Sequence, residues 1–266
     1  MRVKDKIIEY THSNAANLYA YIRKKYFPKL PPILIKNHYL SHSVQTAKIN
    51  KYSQRNKDHI YFALQNQDLQ SLFNHEQINQ LLDLMEKTSL INGDVIELGT
   101  YKGGTTVLMA RFLIELKSEK KIYTCDTFEG FPYAETGTSN KIKLSTGEVK
   151  NQMDLFKDTS FEIVKSKFES FNISHKIKIL KGSFDTTLPS LSDERFSFAL
   201  VDCDIYDSTV IVLREIWPRM IPGGIMLFDD YNSEKEWNLK KAVDDFCRLN
   251  NLVLHQGVMP YLLKPV

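Results

Sequence analysis

The residues best placed to do chemistry are acidic, and each follows an apolar run: Asp126, Asp202, and the pair Asp229 and Asp230. Asp202 comes directly after Phe196–Val201, and Asp229 directly after Gly224–Phe228. If these runs are neighbouring parallel strands, their carboxyl ends bring three carboxylates to one point. Three carboxylates that close cannot all stay ionised without a compensating cation. Oxygen donors alone select a hard ion, Mg²⁺ first, with Ca²⁺ or Mn²⁺ as alternatives. A bound cation lowers the pKa of a hydroxyl, and a carboxylate beside it can take the proton. Asp202 is the candidate proton acceptor, because it lies nearest to both the cation and the glycine turn described next. Asp204 and Asp207 read instead as capping or hydrogen-bonding residues, and Asp244 and Asp245 as polar positions on a helix.

The second chemical feature is the segment Glu97-Leu98-Gly99-Thr100-Tyr101-Lys102-Gly103-Gly104, an apolar strand running through a tight turn into a helix. A phosphate-binding loop would need Lys where Thr105 stands. A dinucleotide fingerprint would need Gly where Tyr101 stands. S-adenosylmethionine carries no phosphate; it needs a small-residue turn beside its methionine part and an acidic group for its ribose diol. Glu97-Leu98-Gly99 meets the first need, and Asp126, ending the next strand, meets the second. Lys181-Gly182-Ser183-Phe184-Asp185 offers backbone amides and an aromatic face for adenine. The bland alternative, glycines that only turn a strand into a helix, stays open here.

Alternating patterns predict the elements that hold these groups. Strands are expected at Asp94–Leu98, Lys121–Cys125, Ile177–Leu180, Phe196–Val201 and Gly224–Phe228. Helices are expected at His75–Leu90, Gly103–Leu116, Leu155–Phe171, Ser208–Trp217 and Lys235–Leu249. Such alternation signals a parallel α/β sheet with helices on both faces. Leu252–His255 and Val258–Leu263 flank Gly257 and predict a closing antiparallel hairpin. The connection Phe128–Asp154, with Gly130, Pro132, Gly137 and Gly147, is long enough to be functional. Residues 1–70 read as an irregular, partly helical extension, broken at Tyr26–Pro32 by prolines, and residues 71–266 as the main domain.

With 42% hydrophobic and 25% charged residues, the chain can bury a full core. A net charge of +3 does not mark a nucleic-acid binder. Lysines crowded near the N-terminus (Lys4, Lys6, Lys24, Lys25, Lys29) read first as a solvated surface and second as help for an anionic acceptor. The chain has no run of 18 apolar residues, so no membrane span is expected. Met1–Tyr10 has no apolar leader core, and Cys125, Cys203 and Cys247 have no metal-ligand spacing, so a cytoplasmic location is expected.

Taken together, the blocks resemble the TylF/MycF (macrocin O-methyltransferase-like) family of metal-dependent sugar O-methyltransferases. The resemblance rests on Glu97–Gly104, Asp126-Thr127-Phe128-Glu129-Gly130-Phe131-Pro132, Lys181–Pro189, Asp202–Thr209, Gly223-Gly224 and Asp229-Asp230-Tyr231, and covers roughly residues 75–250. It implies a Rossmann-like class I methyltransferase fold with a mostly parallel seven-stranded sheet, and a homo-oligomer. It also implies Mg²⁺ on Asp202, Asp229 and Asp230. The expected cofactor residues are Glu97, Gly99, Thr100, Tyr101, Gly103, Thr105, Asp126, Thr127, Phe128, Gly182, Ser183, Phe184 and Asp202. The acceptor would be a nucleotide-linked sugar or a glycosylated natural product, in secondary metabolism or surface polysaccharide synthesis, with residues 1–70 as a possible lid or subunit contact. Cys203 departs from the family's usual glycine. Ile205 stands where catechol-type relatives keep a lysine, which argues against their mechanism. Two rival classes remain, a metal-dependent hydrolase and a non-catalytic module on the same fold.

Overall fold

Strands too apolar to face water on either side form the middle of the sheet. The computed structural model describes residues 49, 51–132, 141–143, 149–232 and 238–266. The chain divides into two compact units, 1–53 and 54–266, so the helix at Gln54–Gln65 belongs to the larger one. The crowded lysines, the Tyr26–Pro32 break, Gly137, Gly147 and the expected helix start at Lys235 lie outside the described residues.

In chain order the elements of the larger unit are α1 (Gln54–Gln65), α2 (His75–Lys87), β1 (Asp94–Leu98), α3 (Gly104–Glu115), β2 (Ile122–Asp126), β3 (Lys141–Lys143), β4 (Val149–Asn151), α4 (Phe161–Ser170), β5 (Ile177–Lys181), α5 (Phe184–Thr187), β6 (Phe196–Val201), α6 (Tyr206–Ile216), β7 (Met220–Phe228), α7 (Leu239–Asn250), β8 (Leu254–His255) and β9 (Tyr261–Leu263). The main sheet has the order β5-β2-β1-β6-β7-β9-β8. Its first four pairings are parallel, and β9 runs antiparallel to both β7 and β8. The closing hairpin is therefore present, and the strand order reverses between β1 and β6. Ligands bind outside the carboxyl ends of strands at such a reversal.

Alternation sorts the side chains between two helical layers. Ile96, Leu98, Tyr123 and Cys125 share a core with Val212, Leu213 and Ile216 of α6 and Leu239 and Val243 of α7. Glu97 and Thr124 face the other way and meet Thr106 of α3. α3 is buried over most of its length, as expected of a helix apolar all round.

Differences from the sequence expectation have local causes. β7 begins at Met220 rather than Gly224, because Met220 pairs with Phe196 before an irregularity that absorbs the glycine pair. α4 begins at Phe161 rather than Leu155, because Ser160 caps it by accepting the Ile163 N–H at 3.3 Å. The long connection holds the short antiparallel pair β3–β4.

Candidate active site

Each of the five parallel strands delivers residues to one cavity of about 310 Å³, a size within the range of small-molecule sites. Gly99 and Tyr101 follow β1, Asp126 and Thr127 end β2, and Gly182, Ser183 and Phe184 follow β5. Asp202, Cys203 and Asp204 follow β6, and Asp229 and Asp230 follow β7. Two strand ends expected to be neighbours are neighbours.

The carboxylates converge. Oxygens of Asp202, Asp204 and Asp230 lie within 4.8 Å of one another. A hard cation with first-shell distances of about 2.0–2.6 Å fits among oxygens so spaced. Burial pushes the Asp202 carboxyl well above the usual carboxylate range, and repulsion from Asp229, Asp204 and Asp230 adds to it. All-oxygen donors so placed fit a hard divalent ion.

The converging trio differs by one member from the set expected from sequence. Asp202 and Asp230 are in it, and Asp204 takes the third place. Asp204 has a left-handed backbone, φ 60°, which folds the loop back after β6, and its carbonyl accepts the Leu239 N–H at 3.0 Å. Asp229 lines the same cavity, but its Oδ1 accepts from Gln77 Nε2 at 2.7 Å. The chain's pattern read Asp204 as a capping residue because its backbone conformation is invisible in composition.

Asp126 lines the cavity and also holds its wall together. Its Oδ2 accepts the N–H groups of Thr100 (2.8 Å) and Tyr101 (2.7 Å), and its Oδ1 that of Phe128 (2.7 Å). The carboxylate thus ties the turn after β1 to the end of β2. The Thr127 hydroxyl adds a longer bond to Oδ1 at 3.4 Å, and a ligand hydroxyl at this carboxylate would take that bond's place.

Gly99 has a structural reason to be glycine. Its φ is +98°, and a Cβ there would lie 1.6 Å from the Asp202 carbonyl oxygen. The turn after β1 and the loop after β6 are in backbone contact at this point. The Asp202 N–H donates to Leu98 O at 2.8 Å beside it.

Five of the expected cofactor residues sit behind the cavity wall instead of on it. Glu97, Thr100 and Thr105 are buried, and Glu97 accepts from Thr106 and Thr124. Thr105 hydrogen-bonds to Ser71 at 3.1 Å, Phe128 packs edge-on against Phe161, and Gly103 caps α3 in a left-handed conformation. Conversely, Leu72, Gln77 and Phe156, which no sequence motif marks, line the cavity, as do Phe131 and Pro132 of the Asp126–Pro132 block. Phe156 stands edge-on to both Tyr101 (5.1 Å) and Phe131 (5.5 Å). The aromatic spacing in Phe128–Pro132 was the available signal for this wall.

Burial pushes the Glu97 carboxyl up to about 8, so it is mostly protonated at neutral pH. A raised folded-state pKa stabilises the fold fully below the unfolded value of about 4.5, and that contribution is lost as pH rises through about 8. Glu97→Gln keeps an oxygen for Thr106 and Thr124 and removes the titration. We expect urea midpoints of the wild type to fall between pH 5 and 8 more steeply than those of this variant. Parallel slopes would overturn the assignment.

The model of the macrocin O-methyltransferase (TylF) family matches residues 27–256. Among curated relatives, the 8-demethyl-8-(2,3-dimethoxy-alpha-L-rhamnosyl)-tetracenomycin-C 4'-O-methyltransferase of Streptomyces olivaceus is 29% identical over 148 residues, 53% of this chain and 54% of that protein. The mycinamicin III 3''-O-methyltransferase of Micromonospora griseorubida is 28% identical over 145 residues, 53% of this chain and 56% of that protein. The chain thus spans about half the length of these relatives. The solved O-methyltransferase NovP superposes with a TM-score of 0.60 at 22% identity, covering 73% of this chain and 82% of NovP. The calicheamicin methyltransferase CalS11 superposes with a TM-score of 0.51 at 17% identity, covering 79% of this chain and 93% of CalS11. Both likenesses concern the fold.

Proposed function

Because the chain belongs to the macrocin O-methyltransferase (TylF) family, we propose that it moves a methyl group from S-adenosylmethionine to a sugar hydroxyl of a glycosylated natural product, with a divalent cation, Mg²⁺ in the first instance, on its aspartate cluster. The observation that carries this reading is the shared cavity, in which the Gly99 turn, Asp126 and the converging aspartates all face one space at the strand-order reversal.

Each residue then has a part. Asp126 receives the ribose diol while holding the Thr100 and Tyr101 amides in place. The Gly182–Phe184 turn borders adenine. Asp202, Asp204 and Asp230 hold the cation, and Asp229, lining the same cavity, offers it a further carboxylate oxygen. When bound, the cation supplies Lewis-acid polarisation that lowers the pKa of an acceptor hydroxyl. Asp202, which lines the cavity beside Gly99 and follows β6, takes the hydroxyl proton. The aromatic wall of Tyr101, Phe131 and Phe156 keeps water from the transferring methyl and positions the acceptor.

A neutral acceptor is favoured over a nucleotide-linked one. None of the described residues lining the cavity is Lys, Arg or His, while Leu72, at 74% exposure, and Pro132 add apolar surface at its edge. Assembly as a homo-oligomer is proposed on the family resemblance. A cytoplasmic location is proposed on the three free cysteines. Among the described residues no helix is long and apolar enough to cross a membrane.

The test is calorimetry with S-adenosylhomocysteine, followed by methyl-transfer assays with neutral glycosides and nucleotide-linked sugars, with Mg²⁺ or with EDTA. No binding at millimolar ligand would end the methyltransferase reading and favour a hydrolase. Transfer unaffected by EDTA would end the cation assignment.

A further inference from the structure

We propose that Gln77 is a positioning residue that holds Asp229 for the cation site, an inference that rests on reading the aspartate cluster as that site. The side-chain amide of Gln77 is engaged at both ends. Its Oε1 accepts the Asn74 backbone N–H at 3.0 Å, and its Nε2 donates to Asp229 Oδ1 at 2.7 Å. The first contact fixes the direction of the second. A flipped amide would set oxygen against the Asp229 carboxylate and nitrogen against a backbone donor, two repulsions in place of two bonds.

The anchor is rigid. Gln77 is the third residue of α2, and Asn74 closes the reciprocal half of this capping box by accepting from Glu76 N (2.8 Å) and Gln77 N (3.1 Å). The same helix buries Ile78, Leu81, Leu82 and Met85. Gln80 grips Met259 from α2 with two bonds of 2.7 Å, Nε2 to the carbonyl and the Met259 N–H to Oε1. Its neighbour Pro260 accepts the Phe228 N–H at 2.9 Å, one residue before Asp229. α2 therefore reaches the Asp229 loop by two routes.

The choice of an amide is chemically informative. A Lys or Arg at this position would neutralise Asp229 and compete with a cation for it. A neutral donor orients the carboxylate and brings no cationic charge of its own. Residues that orient ligands in this way change metal affinity about 10- to 100-fold when removed.

The experiment compares Gln77→Met with Asn74→Ala in the full chain, by calorimetric titration of Mn²⁺ in the presence of S-adenosylhomocysteine. Gln77→Met loses the donor to Asp229. Asn74→Ala loses the cap but keeps the backbone N–H that orients Gln77. The expected result is Mn²⁺ affinity about 10- to 100-fold weaker in Gln77→Met, close to wild type in Asn74→Ala, and unchanged S-adenosylhomocysteine affinity in both. Equal Mn²⁺ affinity in wild type and Gln77→Met would overturn the inference while leaving the cluster as the cation site. So would equal losses in the two variants, which would trace the effect to helix stability. A wild-type protein that binds no Mn²⁺ would overturn the cation site and this inference with it.

Discussion

Replacing Asp202 with Asn is expected to lower turnover by about 10²- to 10⁴-fold, the usual contribution of a positioned proton acceptor, while raising the melting temperature of the metal-free protein. The two effects have one origin. Burial and the neighbouring Asp229, Asp204 and Asp230 hold the Asp202 pKa well above 3.8. A raised folded-state pKa means the group's stabilising contribution is complete below about 3.8 and is lost as pH rises through the higher folded value. Without a cation, burial and the acidic neighbours therefore oppose the ionised form of Asp202. Asn removes that opposition and keeps the shape. Each kcal/mol so relieved raises the midpoint of a chain this size by about 2–4 °C. Steady-state rates with Mg²⁺ and thermal melts in EDTA would check both halves. A rate within tenfold of wild type, or a lower melting point in EDTA, would contradict the assignment.

Gly99→Ala is expected to be the most damaging Gly→Ala change among the described residues, costing more than about 4 kcal/mol and abolishing S-adenosylhomocysteine binding. The new Cβ would stand 1.6 Å from the Asp202 carbonyl oxygen and 2.6 Å from its carbon. Nothing at that point can yield cheaply. The Gly99 N–H donates to Cys125 O at 3.0 Å and the Asp202 N–H to Leu98 O at 2.8 Å, so both backbones are pinned by the central strands. Gly223→Ala is the matched control. It has φ +79°, yet its Cβ would meet only the Ile91 Cδ1 at 3.2 Å, so its cost is the conformational one, about 1–2 kcal/mol. Urea denaturation of the two variants would separate steric collision from backbone preference. Similar midpoints would mean that the turn after β1 has more room than its geometry shows.

Those central strands were also the most legible part of the chain. Asp94–Leu98 and Phe196–Val201 are found at their expected limits, because strands buried on both faces read as short, mostly apolar runs. α1 was hard to read for the opposite reason: it buries Asn56 and His59 beside Ile60, so its inward stripe is largely polar. In the site, acidic residues at strand ends could be found from spacing alone. Asp204 could not, since membership of the converging trio depends on one left-handed residue. Gln77 was equally hidden, because 152 positions separate it from Asp229 and only folding makes them partners.

Four strand ends share one unusual trait. Tyr101 (φ 48°), Phe128 (φ 57°), Asp204 (φ 60°) and Asp230 (φ 51°) all adopt the left-handed conformation that side chains ordinarily avoid, at a cost of order 1–3 kcal/mol each. That cost is met once, during folding, by the surrounding sheet and helices. A small molecule arriving at this rim thus finds a mould already set, and its association need not freeze wandering backbone. Binding heats across a ligand series would then track how well each compound fits the mould, with little contribution from loops settling into place.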